Sequence, residues 1–219
     1  METRKIVFLL TILALVALMA YLVQIPLRDQ TQPMHNAVLS LDKKPVGQSF
    51  TAKRGQLYRL DVFMAVSSPP KAGELTLLLS ESTSSSTIRK AVVPASQIKN
   101  NRYLSFAFEP IRNAKDRQFF FRLTPGNFDA KNMYVWFYSS QEVYPPGKGF
   151  LGMGELDGDL QFSSFSRTSV LEAGKTVFSA VADKKPFPLN LAIIYAFLVG
   201  LYLLAVGFLL AKVLSMPHS

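Results

Sequence analysis

Two long apolar runs bracket this chain, Ile6 to Ile25 and Leu189 to Leu214, and nearly everything polar lies between them. Each run matches the about 20 helical residues needed to cross a bilayer core of roughly 30 Å. The spacing therefore predicts one transmembrane helix over 6–25 and a second over 189–214, with tails at 1–5 and 215–219. Residues anchored at both ends must leave and return on the same side, so 36–182 is expected to be one extramembrane domain, joined by linkers at 26–35 and 183–188. Arg4 and Lys5 stand beside the first run and favour a cytoplasmic N-terminus, which would put both tails inside and the domain outside. The first run exceeds the roughly 7 to 15 apolar residues of a secretory signal and has no small-x-small cleavage site after it, so it is read as retained.

Neither run carries Asp, Glu, Arg or His in its centre, where an ion path or proton relay would need them. The two histidines, His35 and His218, lie outside both runs, so no side-chain imidazole is offered there to a haem. In the second run Ala192, Ala196, Gly200, Gly207 and Ala211 fall on one stripe of a helix, a seam along which another helix can approach closely. The partner predicted for that seam is another integral membrane subunit, with the first run as the alternative.

Cysteine is absent, which removes disulfides, thiolate nucleophiles and cysteine-held metals together. The region from Arg28 to Lys185 has 21 Lys or Arg against 14 Asp or Glu. Such a basic surface suits anionic lipid headgroups or an acidic partner, and an outward location argues against nucleic acid. No cofactor is expected.

Between the runs the pattern is that of strands. The clearest is Leu57 to Val66, which puts Tyr58, Leu60, Val62, Met64 and Val66 on one face; Glu74 to Ser80 turns Leu75, Leu77 and Leu79 inward. Further strands are predicted at Ala37 to Leu41, Gln48 to Ala52, Ile88 to Val93, Tyr103 to Phe108, Gln118 to Leu123, Met133 to Ser139, Leu160 to Phe165 and Thr176 to Ala182. Short strands so spaced indicate a mainly β fold, an antiparallel sandwich of the jelly-roll kind. Four stretches, QSFTA at 48–52, YLSFAFEPI at 103–111, FFFRL at 119–123 and GDLQF at 158–162, resemble the β-sandwich accessory domain of bacterial membrane proteins, notably multi-spanning glycosyltransferases. The resemblance covers most of 36–166. It implies a bacterial inner-membrane protein with a periplasmic domain, a jelly-roll-like fold and an interaction role, with no catalytic residue to carry over.

Three places invite a functional reading. In MYVWFYS, 133–139, Met133, Val135 and Phe137 face one way and Tyr134, Trp136 and Tyr138 the other, either as an aromatic platform or as a strand buried on both faces with Trp136 as a core anchor. The Gly- and Pro-rich passage 144–159 presents Tyr144, Phe150 and Met153 and is the loop best suited to touch a partner or a glycan. Within it Glu155, Asp157 and Asp159 bracket Gly158, as a turn or as oxygen ligands for a hard cation. No nucleophile elbow and no phosphate-binding glycine loop followed by a helix is present. The function expected is therefore a non-catalytic auxiliary subunit of a bacterial membrane complex, with a carbohydrate-binding module as the alternative.

Overall fold

A computed structural model describes residues 2–42, 44–68, 72–126, 129–139, 144–182, 185 and 191–214, with side chains for all of these except 2–10, 192, 206 and 209–214. The chain divides into two compact units, Pro26–Thr168 and a second made of Met1–Ile25 with Ser169–Ser219. Most of the predicted linker 183–188, and all of the tail 215–219, lie outside the described residues.

The first unit is an antiparallel β-sandwich. Its seven-stranded sheet contains β1 (Gln24–Gln32), β2 (Ala37–Ser40), β4 (Gln56–Val66), β7 (Arg102–Ile111), β9 (Met133–Ser139), β12 (Gly158–Leu160) and β13 (Phe162–Ser169). The six-stranded sheet runs β11 (Gly154–Glu155), β10 (Gly149–Leu151), β3 (Val46–Thr51), β8 (Gln118–Pro125), β5 (Glu74–Ser80) and β6 (Arg89–Pro94). The inner faces supply the core by alternation: Leu60, Val62, Met64, Val135 and Phe162 from one sheet meet Phe50, Leu75, Leu77, Leu79, Phe119 and Phe121 from the other, all fully buried.

One irregularity re-aims the longest strand. The register of β4 slips between Leu57 and Arg59 against β7, and β13 slips beside it between Phe165 and Ser166. Such a bulge puts one extra residue into a strand and exchanges its faces. Leu57 is therefore in the core and Tyr58, predicted to join Leu60 and Val62, is only half-buried. At Gly47 a Cβ would lie 2.7 Å from the Phe120 ring and 2.6 Å from the Phe121 carbonyl oxygen, so only glycine lets Phe120 lie over β3.

The second unit holds three α-helices among the described residues, α1 (Glu2–Leu22), α2 (Val170–Ala182) and α3 (Ala192–Leu214). Here three expectations are overturned. No helix among the described residues is long and apolar enough to cross a membrane, so the transmembrane helix predicted at each end, and with it the two-pass inner-membrane protein with a periplasmic domain, is not what the structure supports. The first run is divided: α1 ends at Leu22 and the chain turns to strand from Gln24. Pro26 forces its predecessor towards extended backbone, and the apolar part of α1, 6–22, rises only about 25 Å at 1.5 Å per residue. The predicted linker 26–35 is instead largely β1, anchored where Gln30 N–H donates to Ser164 Oγ (3.1 Å).

The predicted strand Thr176 to Ala182 is the second half of α2. Ser169 and Glu172 form the start signal that decides it: Glu172 N–H donates to Ser169 Oγ (3.2 Å), the arrangement in which a serine satisfies a free donor of the first helical turn. Lys175 Nζ then pairs with Glu172 (3.0 Å), three residues back on the same side of the helix.

Candidate functional site

The passage 144–159 folds back onto the sandwich and separates the three residues singled out in it. Tyr144 is 5% exposed, sets its ring edge-on to Phe162 at 5.3 Å, and donates its hydroxyl to Gln30 Oε1 (3.2 Å). It is a core residue, not a contact residue. Burial pushes its phenol up to about 12, the Asp29 and Asp159 charges add to this, and a backbone hydrogen bond at Thr51 opposes it. Because the native phenol holds its proton after an unfolded one has lost it, Tyr144 contributes stability that is complete below about pH 10 and is lost as pH rises through about 12. In an absorbance titration of phenolate, one of the eight tyrosines is expected to ionise last, and that step should vanish in Tyr144→Phe; a titration unchanged by this substitution would contradict the assignment.

Phe150 and Met153 belong to the β10–β11 hairpin, whose turn uses Gly152 at φ +65°. Met153 stands 81% exposed at the tip. Phe150 meets Phe120 edge-on at 5.1 Å and helps to line a cleft of about 320 Å³ with Pro145, Pro146, Thr83 and Gln118. That volume is at the lower end of small-molecule sites, which span roughly 300–1,000 Å³.

The three carboxylates do not converge on a cation. Asp159 is 1% exposed and accepts from Gln48 Nε2 (2.8 Å) and from Tyr144 N–H (2.9 Å). Glu155 pairs with Lys148 (3.0 Å). Among the described residues no three metal-ligating side chains gather. Gly158, at φ +146°, opens β12 opposite Ser139, and a Cβ there would collide with the Tyr138 carbonyl oxygen.

Trp136 is not the buried anchor. Met133 and Val135 point into the core and Phe137 packs against it, while Tyr134, Trp136 and Tyr138 are half-buried on the opposite face of β9. That outer face carries a second cluster which the sequence pattern did not disclose. The His35 ring packs tilted against Trp136 at 4.7 Å and against Phe63 at 5.6 Å, and Phe63 packs tilted at 4.8 Å against Tyr103, its partner across β4 and β7. Asn101, at φ 52°, accepts from Trp136 Nε1 (2.9 Å) and fixes the indole. Gln161, 5% exposed, donates Nε2 to Tyr103 Oη (3.1 Å), and its Oε1 has no hydrogen-bond partner.

One pleat along, a polar row crosses the same face. Ser105 is opposite Asp61 and Asp61 opposite Ser163, and Thr31 Oγ1 lies 3.0 Å from Ser163 Oγ. The Asp61 carboxylate stands 3.1 Å from Arg59 Nε, yet its Oδ1 accepts no aligned hydrogen bond. Burial raises the Asp61 carboxyl above its ordinary value, with Ser105, Arg59 and Arg28 opposing. A third row places the Arg59 guanidinium 3.8 Å above the Phe165 ring, with Arg28 at 5.8 Å.

The small-residue stripe lies in α3. Ala196 and Gly207 are exposed, Gly200 is half-buried, and a Cβ added at either glycine would meet nothing within 4 Å among the described residues. The backbones of Ala192 and Ala211 continue the same helix; their side chains are outside those described. No protein-family model matches this chain and no curated protein matches it in sequence, so its function has to be read from this geometry.

Proposed function

We propose that the protein is a non-catalytic auxiliary subunit of a larger assembly, attached through its apolar helices and presenting the β-sandwich for recognition. The observation that carries the reading is the surface of α3. Ile193, Leu201, Tyr202 and Leu203 point to four different sides of the helix at 3.6 residues per turn, and all are exposed. A helix apolar on every side is stable only when something covers it, and exposed apolar area of this extent marks an interaction surface. The covering expected is a subunit with apolar helices of its own, as integral membrane proteins have. The resemblance of 36–166 to the accessory sandwiches of bacterial multi-spanning glycosyltransferases points the same way, since those are appendages rather than catalytic parts.

The glycines of α3 supply the test. Because nothing among the described residues lies within 4 Å of a Cβ at Gly200 or Gly207, Gly200→Leu and Gly207→Leu are expected to disturb chiefly what approaches from outside. Native purification from the source is expected to recover the wild type with stoichiometric partners and the double variant with several-fold less of them, at equal thermal stability of the sandwich. Recovery of the wild type alone, or equal partner recovery by the variant, would contradict the subunit reading.

A further inference from the structure

We infer that the outer face of the seven-stranded sheet binds a glycan, with Phe63, Tyr103 and Trp136 packing against a pyranose ring and Gln161 Oε1 accepting from one of its hydroxyls. The inference rests on the reading of the chain as a non-catalytic binding subunit and names the ligand class of one face. Two independent observations meet here. The first is the ring series His35, Trp136, Phe63 and Tyr103, with neighbouring centroids 4.7 to 5.6 Å apart on a face where the core has no use for them. An aromatic face binds the axial C–H groups of a sugar while leaving its hydroxyls free to hydrogen-bond.

The second observation is an idle acceptor. Gln161 Oε1 is buried without a hydrogen bond, and a buried acceptor left unmade is costly; the Asp61 carboxylate, two residues from Phe63 on the same face of β4, is already paired with Arg59 Nε at 3.1 Å. Gln161 is tied to the ring series through Tyr103 Oη. Its oxygen wants an O–H or N–H donor beside an apolar surface. A peptide adding as a strand would need a free sheet edge, whereas this face lies within the sheet: Phe63 and Asp61 are on a strand paired along both sides. A sugar combines many hydroxyl donors with apolar ring faces and requires no edge. Ser105, Ser163 and Thr31, in the row of Asp61, provide further hydroxyls within one pleat.

Trp136 is the only tryptophan in the chain, so its fluorescence reports on this face without a label. The purified full-length chain would be screened against an array of cello-, chito- and manno-oligosaccharides, and those bound would be titrated while Trp136 emission is followed. At least one is expected to bind with a saturable change in emission. Tyr103→Leu, at a residue 42% exposed, and Gln161→Ala should each weaken that binding at least tenfold while each variant still unfolds cooperatively in urea. Phe150→Ala, in the separate cleft, should change it less than twofold. Absence of binding across the array at millimolar sugar would overturn the inference, and so would a loss caused by Phe150→Ala but not by Tyr103→Leu, which would move the sugar to the cleft. Partner recovery with the glycine variants is independent of this outcome: a chain that keeps its partners but binds no glycan loses only this inference, and one that binds glycan but purifies alone loses only the subunit reading.

Discussion

Phe162→Ala is expected to lower the free energy of unfolding by about 3–5 kcal/mol, the range of a large aromatic truncated in a packed core. Phe162 is fully buried at the start of β13, and its ring lies 5.7 Å from Phe50, 5.6 Å from Phe121 and 5.3 Å from Tyr144. Phe50 and Phe121 come from the opposite sheet, so the ring is a tie between the two layers. None of these neighbours can collapse into the vacancy without leaving its own strand, which is why the cavity cost should add to the lost transfer energy. Val92→Ala, on the outer side of β6 at 40% exposure, makes the comparison and should cost under about 1 kcal/mol. Urea unfolding followed through Trp136 measures both. Equal midpoints for the two variants would mean that the aromatic cluster does not hold the sheets together.

The same cluster shows which parts of the fold the residue pattern discloses. Strands with strict alternation are legible, and Glu74–Ser80 and Met133–Ser139 coincide with β5 and β9 to the residue. In β5 the inward Leu75, Leu77 and Leu79 are as predicted because one buried face per strand fixes the register. The helical ends are where hydropathy misleads. VALMAYLVQI reads as one apolar run, but β-branched residues before Pro26 convert its end into a strand that joins the sandwich. TVFSAVA alternates like a strand and is helical because Ser169 and Glu172, seven and four residues upstream of Thr176, begin the helix. A start signal outranks a short alternation, since nucleation is the costly step of a helix.

Of the candidate sites, the division of β9 into Met133, Val135 and Phe137 on one side and Tyr134, Trp136 and Tyr138 on the other follows from alternation, but that Trp136 lies outside the core does not. Nor does the burial of Tyr144, because it depends on Phe162 and Gln30, which are distant in sequence. The ring series was hidden for the same reason. His35, Phe63, Tyr103 and Trp136 come from four separate segments and become neighbours only once β2, β4, β7 and β9 are in register. Single alternating residues on an outer face look like ordinary surface until cross-strand pairing puts them side by side.

Asp159→Ala is expected to destabilise the sandwich by about 3–6 kcal/mol, the sum of two hydrogen bonds to a charged group at about 1.5–3 kcal/mol each. The residue closes an edge. On β12 the Leu160 N–H donates to Gln48 Oε1 (2.9 Å) and the Asp159 carbonyl accepts from Gln32 Nε2 (3.0 Å), so glutamine side chains take the place of a further strand. The Asp159 carboxylate holds that arrangement in place by accepting from Gln48 Nε2 and from Tyr144 N–H. Without it, Gln48, which is fully buried, loses the partner that orients its amide, and the passage from Tyr144 is released from β12. Asp159→Asn keeps the size but must turn an amide N–H₂ towards one of the two donors, so it should cost roughly half as much. Gln48→Leu combined with Asp159→Ala should cost less than the sum of the two single changes, because neighbours in one polar network are not additive. Proteolysis after Lys148 should accelerate in Asp159→Ala well before global unfolding, since the segment between Tyr144 and the β10–β11 hairpin is the part let go. An Asp159→Ala chain that melts and resists protease as the wild type does would show that the edge of β12 is held by strand pairing with β9 alone.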